Sequence, residues 1–190
     1  TLMLTTFFGP AAAGFYNIGK TVLNIPSQLI GKSVGDVFYP RVSEAANNHQ
    51  RLTPLINKAT LLLALVGILP YGLVILFGPW LFSFVFRNDW EMAGHYARWI
   101  ALWSFFGFIN RPSVRSLPVL SAQNFQLIYT IIMLIVRILA LGIGYFVFKS
   151  DIVAIALFGI SGALLNIGLI LITNGISKKF DVRNVAEGKE

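Results

Sequence analysis

Long stretches without a charged residue separate the polar parts of this chain. Residues 59–86, 116–136 and 152–177 contain no Asp, Glu, Lys or Arg. About 20 apolar residues in an α-helix suffice to cross the hydrocarbon core of a bilayer, so each stretch is long enough to span it. The pattern therefore predicts an all-α fold, a polytopic membrane helical bundle.

Turn signals between these stretches place the helix ends. Gly9-Pro10 breaks the first uncharged run, and residues 1–8 are interpreted as the tail of a spanning helix. Further breaks fall at Arg87-Asn88-Asp89 and Lys149-Ser150-Asp151. The other helices are predicted at about 13–39, 57–78, 93–117, 123–148 and 152–176, followed by a tail over 177–190.

Lysine and arginine are unequally distributed over the two ends of these helices. Cytoplasmic loops of membrane proteins collect both residues. One end has only Arg87 and Lys149, with Arg98 about one turn inside. The other end has nine: Arg41, Arg51, Lys58, Arg111, Arg115, Lys178, Lys179, Arg183 and Lys189. We therefore expect the 40–58 loop and the C-terminal tail to lie in the cytoplasm.

The composition agrees with a membrane protein and argues against several kinds of chemistry. Only 12% of residues are charged, against about 25% in soluble domains. Cysteine is absent and histidine occurs twice, so we expect no disulfide, zinc site or cysteine nucleophile. No nucleotide-binding glycine loop, Gly-x-Ser-x-Gly motif or acidic pair is found, so no cofactor or metal is predicted. The net charge is +7, and the basic residues that produce it interrupt apolar runs. This distribution favours a lipid-attached partner over nucleic acid.

Basic residues outnumber acids inside the predicted spans. The single acid is Asp36, and the six cations are Lys20, Lys32, Arg98, Arg111, Arg115 and Arg137. A charge at the bilayer centre costs about 2.5–3.5 kcal/mol on insertion scales, so it needs a partner or a water-filled cavity. One carboxylate cannot neutralise six cations, which indicates an anionic ligand.

Several of these charges also have a structural explanation. Lys32 and Asp36 are four residues apart and can form a pair, while the alternative is that Asp36 carries a coupling ion. Arg111 and Arg115 lie near the cytoplasmic end, where they either extend to lipid headgroups or bind a substrate. Arg98 is expected to be an interfacial anchor.

Arg137 is harder to explain in this way. It lies near the middle of the predicted 123–148 helix, roughly 16–20 Å from either end at about 1.5 Å per residue. Gln126 and Thr130 share its face of the helix. Arg137 must therefore face protein or water, and the structural alternative is an ion pair with an acid elsewhere in a longer chain.

Two further helices have polar faces. Asn17, Lys20 and Asn24 recur at three- and four-residue steps on the first full helix, ahead of Pro26, which should bend it. Asn166 lies near the middle of the last span, where both interhelical packing and ligand binding remain open. The sequence thus offers polar groups at membrane depth on three helices.

Two stretches are similar to a known family. Gly14-Phe15-Tyr16-Asn17-Ile18-Gly19-Lys20, Ile25-Pro26 and Val37-Phe38-Tyr39-Pro40-Arg41-Val42-Ser43-Glu44 resemble the eighth helix and following loop of bacterial polysaccharide transporters. Phe77-Gly78-Pro79-Trp80-Leu81 and Trp90-x-x-Ala93-Gly94-x-Tyr96 resemble the connection between helices nine and ten. These transporters are the lipid-linked oligosaccharide, or O-antigen, flippases of the multidrug/oligosaccharidyl-lipid/polysaccharide superfamily.

The resemblance implies the second, C-terminal lobe of a roughly twelve-helix transporter, with the N-terminal lobe earlier in the same chain. The start at Thr1, without an initiator methionine or a signal segment, agrees with this expectation. Such proteins move a polyprenyl-pyrophosphate-linked oligosaccharide across the bacterial inner membrane by alternating access, for O-antigen, capsule or exopolysaccharide synthesis. They make and break no bond, so no enzyme activity is expected. Proton or sodium coupling would involve Asp36.

With this substrate, Lys20 and Arg137 are expected to bind phosphate or an acidic sugar. Residues expected to hydrogen-bond sugar hydroxyls are Asn17, Asn24, Gln126 and Asn166, and further substrate-binding candidates are Arg111 and Arg115. These assignments follow from depth and face, because the family has no fixed motif at these positions. The alternatives are a multidrug exporter of the same superfamily, a membrane-bound enzyme of polysaccharide assembly, and a non-transporting membrane subunit.

Overall fold

The computed structural model describes residues 2–86 and 88–187, without the side chains of residues 2–4, 25–27, 29–36, 88 and 187. The described chain is helical throughout, and it contains no β-strand. Its helices are α1 (Leu2–Asn47), α2 (Thr53–Phe86), α3 (Glu91–Ile109), α4 (Arg111–Ser116), α5 (Gln123–Phe146) and α6 (Asp151–Glu187), with a 3₁₀ turn at Asn88–Trp90.

Three of these helices are long and apolar enough to cross a membrane, judged by length and composition. They are α2, α5 and α6 as far as Ala186. The prediction of an all-α membrane protein is confirmed at this level. Six α-helices within the described residues do not support a count of twelve for this chain.

The outer faces of α2 and α5 consist of exposed apolar side chains. Leu65 and Leu69 of α2 are 62% and 69% exposed, and Leu134 and Leu139 of α5 are 59% and 58% exposed. A soluble domain rarely presents continuous apolar surface on this scale. These faces are therefore suited to contact with lipid tails.

Helix α3 lies inside the bundle and packs against α1, α2 and α6. Its buried residues include Ala93, Gly94 and Ala97, which let its neighbours approach closely. A Cβ on Gly94 would come within 2.5 Å of the Gly78 carbonyl oxygen of α2, and one on Gly159 of α6 within 2.5 Å of the Trp99 carbonyl oxygen. Tyr96 of α3 also donates a hydrogen bond to the Asp151 carboxylate of α6. Helix α3 is not among the three candidate spans, and within the described chain it is packed against three other helices.

A break at Gly9 divides α1, as the sequence predicts. The backbone there has φ 87° and ψ 173°, a conformation that a side chain would oppose. Pro10 then begins the long segment that runs to Asn47, because proline is favoured in the first turn of a helix. The helix therefore extends beyond the predicted 13–39 at both ends.

Other predicted boundaries also differ from the structure. The helix predicted at 57–78 runs over Thr53–Phe86. The predicted 93–117 helix is interrupted at Asn110, because Pro112 lacks the N–H that would bond to the Phe108 carbonyl. The predicted tail over 177–190 is helical as far as Glu187. Asp181 and Asn184 in this part of α6 form hydrogen bonds with the connection between α1 and α2, which stabilise the helix here.

Candidate functional site

Arg137 lies between two aromatic rings on the side of α5 that faces the bundle. Its Cζ is 4.5 Å from the centroid of the Trp103 ring of α3 and 5.0 Å from that of Phe158 of α6. The two rings meet edge to face, with centroids 6.1 Å apart. A guanidinium over an aromatic face gains about 0.5–2 kcal/mol, more when water is excluded. The rings therefore hold this cation in position without neutralising its charge.

Gly162 of α6 provides the space for this guanidinium. A Cβ at position 162 would lie 2.8 Å from Nη2 of Arg137 and 3.1 Å from Cβ of Trp103. The arrangement thus requires the absence of a side chain at this position. This gives Gly162 a specific role besides helix packing.

The polar groups around Arg137 are incompletely bonded within the described part of the chain. Nε of Arg137 and Nε1 of Trp103 are both buried without a hydrogen-bond partner there. The two ion pairs among described residues, Arg41 with Glu44 and His95 with Glu91, do not include Arg137. Its electrostatic neighbour is Tyr16 of α1. Two buried donors and one uncompensated charge make this cluster suited to an anionic or oxygen-rich ligand.

Lys20 lies on the same side of α1 as Tyr16. The two residues are four apart, so they are neighbours on one helix face. Lys20 is half-buried, and within the described chain no carboxylate pairs with it. Of the flanking asparagines, Asn24 is half-buried and Asn17 is exposed. Lys20 thus lies one helical turn from Tyr16, the electrostatic neighbour of Arg137.

The remaining candidates are more dispersed. Gln126 is on the Arg137 face of α5 but about 16 Å away along the helix axis at 1.5 Å per residue. Arg111 is near Phe108, with its Cζ 5.8 Å from the ring centroid, and its electrostatic neighbours are Tyr71 and Arg115. The structure does not bring these residues into the Arg137 cluster. Arg115 is exposed.

Asn166 has an interhelical packing role, one of the two interpretations left open by the sequence. It is 5% exposed. Its Oδ1 accepts a hydrogen bond of 2.9 Å from Nδ2 of Asn110, and its own Nδ2 donates to the Gly162 carbonyl at 2.7 Å. Because its amide is engaged within the protein, we do not retain it as a sugar-binding residue.

Asp36 and Lys32 lie outside the residues whose side chains are described. The backbone of α1 continues through both positions. Their pairing, and the role of Asp36 in ion coupling, therefore remain predictions.

Arg98 has a role beyond that of the interfacial anchor predicted for it. Pro79 of α2 has no N–H to bond to the Ile75 carbonyl one turn earlier. The Nε of Arg98 donates to that carbonyl at 2.7 Å, and its Nη2 donates to the Leu76 carbonyl at 3.4 Å. Arg98 thus replaces the hydrogen bond that proline removes from α2.

Replacing Arg98 by alanine is expected to lower the free energy of unfolding by about 1–2 kcal/mol, because a charged donor to a freed carbonyl is lost. In a Pro79→Ala background the new backbone N–H can bond to Ile75, so the same replacement should cost about 1 kcal/mol less. Thermal unfolding of the four proteins in detergent measures this coupling. Equal costs in both backgrounds would contradict this role for Arg98.

A polar cluster at one end of the bundle could not be predicted from the sequence pattern. The Asp181 carboxylate of α6 accepts hydrogen bonds from the backbone N–H of Leu52 at 2.6 Å and of Thr53 at 3.0 Å. Nδ2 of Asn184 donates to the Ala46 carbonyl at 3.2 Å, and Nδ1 of His49 is 3.0 Å from the Asn184 carbonyl oxygen. Thr53-Pro54 signals a helix start, but no local pattern indicates a partner so distant in the sequence.

The basic loops of the chain lie at the same end of the bundle as this cluster. The α1–α2 connection and the last turns of α6 meet there, and Leu120 before α5 packs into the same hydrophobic cluster as Leu52 and Phe180. The basic loops predicted to share one side of the membrane therefore meet at one end of the bundle.

The three long apolar helices, together with an arginine that has no counterion among the described residues, indicate a helical membrane protein with a polar site between helices. The model of one family, described as polysaccharide biosynthesis protein, matches residues 1–95 of the 190. The chain belongs to this family, which confirms the resemblance at family level. Neither the comparison with curated proteins nor that with solved structures finds a match.

Proposed function

We propose that this chain forms the C-terminal part of a transporter that flips a polyprenyl-pyrophosphate-linked oligosaccharide across the bacterial inner membrane. The observation that carries the proposal is the environment of Arg137. A cation lies between helices, near Tyr16, with buried donors that lack partners among the described residues. An anionic substrate headgroup would supply the missing charge. Membership of a polysaccharide biosynthesis family supports this class of substrate.

The proposed mechanism is binding followed by reorientation, without covalent chemistry. Arg137 and Lys20 attract the pyrophosphate or an acidic sugar, and Asn17, Asn24 and Gln126 hydrogen-bond sugar hydroxyls along the path. The polyprenyl tail remains in lipid beside the apolar outer faces. An N-terminal lobe would close the other side of the path, and alternation between two lobe arrangements exposes it to each leaflet in turn.

The basic end of the bundle is proposed to face the cytoplasm, because short cytoplasmic connections are enriched in lysine and arginine. This orientation puts the end of α6 inside the cell. A proton or sodium gradient would drive the cycle, with Asp36 as the proposed coupling carboxylate.

A multidrug exporter of the same superfamily is a weaker alternative. Organic cations would be repelled by Arg137 and Lys20, since no described carboxylate pairs with either residue. A metal-dependent enzyme of polysaccharide assembly would need a cluster of ligating side chains, and within the described residues no cluster of three or more His, Cys, Asp or Glu side chains is found.

Complementation of a bacterium that lacks its own flippase tests the proposal. Arg137→Gln and Lys20→Gln in the full-length protein should each reduce surface polysaccharide by about tenfold or more, since a buried charge contact is worth roughly 1.5–3 kcal/mol. Membrane abundance is measured on the same cells by immunoblot. Lys58→Gln, at an exposed cation on α2, is the matched control and should retain normal polymer.

Normal polysaccharide from both site variants at normal abundance would refute the proposed site. Altered drug resistance with unchanged polysaccharide would instead favour the exporter. Arg137→Lys separates charge from shape, because lysine keeps the charge but loses the planar guanidinium between the two rings.

A further inference from the structure

A second basic site lies at the end of the bundle, apart from the Arg137 cluster. It is a groove of about 640 Å³ between the start of α2 and the end of α6. Two cations, Arg51 and Lys178, line it together with the apolar residues Pro54, Val182, Val185 and Ala186. Val182 is 76% exposed. The groove thus combines positive charge with uncovered apolar surface.

One acid, Asp181, also lines this groove and offsets only one of its two positive charges. Its two carboxylate oxygens accept hydrogen bonds from the backbone N–H groups of Leu52 and Thr53. Within the described chain, neither Arg51 nor Lys178 belongs to an ion pair. The two cations therefore remain available to an external anion.

The position of the groove indicates where that anion comes from. The candidate span of α6, at 36 residues, is about 54 Å long at 1.5 Å per residue, while the hydrocarbon core is only about 30 Å thick. The uncharged run 152–177 is long enough to fill this core, so the charged end of α6 that follows it lies at or beyond the headgroup layer. The exposed Val182 and the half-buried Val185 beside two cations at this level match the two parts of a membrane lipid, its acyl chain and its phosphate.

We propose that this groove binds one anionic phospholipid of the surrounding bilayer. The lipid phosphate lies between Arg51 and Lys178, and the upper part of one acyl chain covers Val182 and Val185. The bound lipid would cover the surface between α6 and the α1–α2 connection. This site is independent of the transported substrate, so the two proposals can fail separately.

Lipid binding to the purified full-length protein tests the inference, with phosphatidylglycerol and phosphatidylcholine titrated in detergent and followed by native mass spectrometry. The wild-type protein should prefer phosphatidylglycerol. Arg51→Gln/Lys178→Gln should weaken its binding roughly 5- to 25-fold, on the basis of about 1 kcal/mol per basic residue. The matched control is Lys58→Gln/Lys179→Gln, two exposed cations near the same end that do not line the groove, and it should change binding less than about twofold.

Two further variants test separately the positive charges and the apolar side chains of the groove. Arg51→Lys/Lys178→Arg keeps both charges and should retain binding, which guards against simple loss of folding. Val182→Ser/Val185→Ser should weaken phosphatidylglycerol binding but leave the weak binding of glycerol phosphate unchanged.

Three outcomes would overturn the inference. One is equal loss in the groove variant and its matched control, which would mean diffuse charge attraction. Another is glycerol phosphate binding as tightly as phosphatidylglycerol, which would indicate a soluble phosphate ligand. The third is absence of any preference for phosphatidylglycerol in the wild-type protein.

Discussion

Gly144→Ala is expected to separate α5 from α6 and to lower the free energy of unfolding by about 3 kcal/mol, the upper part of the range for overpacking. A Cβ at this position would lie 2.3 Å from Cα and 2.4 Å from Cβ of Ala154. The nearest atom belongs to the backbone of α6, so the clash cannot be relieved by a side-chain rotation. The helices must move apart, and Arg137, two turns earlier on α5, would move with them.

Gly142→Ala is the matched control for this change. It lies on the same helix two residues away, and a Cβ there has no atom within 4 Å. Since alanine is the better helix former, we expect it to raise the free energy of unfolding by up to about 1 kcal/mol. Thermal unfolding of both purified variants, followed by tryptophan fluorescence, measures the difference. Equal stability of the two variants would show that α5 and α6 are not in close contact at Gly144.

Asp181→Ala is expected to lower the free energy of unfolding by about 2–4 kcal/mol, because it leaves two N–H groups without an acceptor and removes a helix cap. Asp181 is 8% exposed, so water can replace it only partly. The α1–α2 connection and the last turns of α6 should loosen together. Hydrogen exchange at Leu52 and Thr53 should become faster, while exchange in α5 should change little.

Glu44→Ala provides the comparison for Asp181→Ala. The pair of Glu44 with Arg41 is solvent-exposed, with side chains 59% and 54% accessible. Exposed pairs of this kind contribute about 0–1 kcal/mol, so this variant should unfold close to wild type. If Asp181→Ala also unfolds like wild type, the proposed cap of α2 is wrong.

The positions of the three candidate membrane-spanning helices could be predicted from the sequence. The uncharged runs placed α2, α5 and α6 because a lipid-facing helix must be apolar over its full membrane-spanning length. Helix α3 was harder to delimit, since its neighbours are protein and its small residues reflect packing rather than contact with lipid.

Among the functional residues, Arg137 could also be found from the sequence, whereas its neighbours could not. Arg137 was identifiable from its depth alone, because an unexplained charge at mid-membrane needs a partner. Its neighbours could not be predicted, since Trp103, Phe158 and Gly162 lie on other helices and reach it only through the packing of the bundle. The same limitation applies to Asn166, whose depth left packing and ligand binding open and whose amide bonds to Asn110.

Hydropathy along the chain was enough to predict a helical membrane bundle, with its basic loops at one end and a cation near the middle of a span. Those properties follow from the transfer of each residue between water and lipid, which depends on local composition. The three-dimensional packing was needed to show that Arg137 lies between two rings without a described counterion, that Arg98 replaces a bond removed by proline, and that Asp181 caps α2. Each of these depends on distance between residues far apart in the sequence, and periodicity along one helix carries no information about which helix lies beside it.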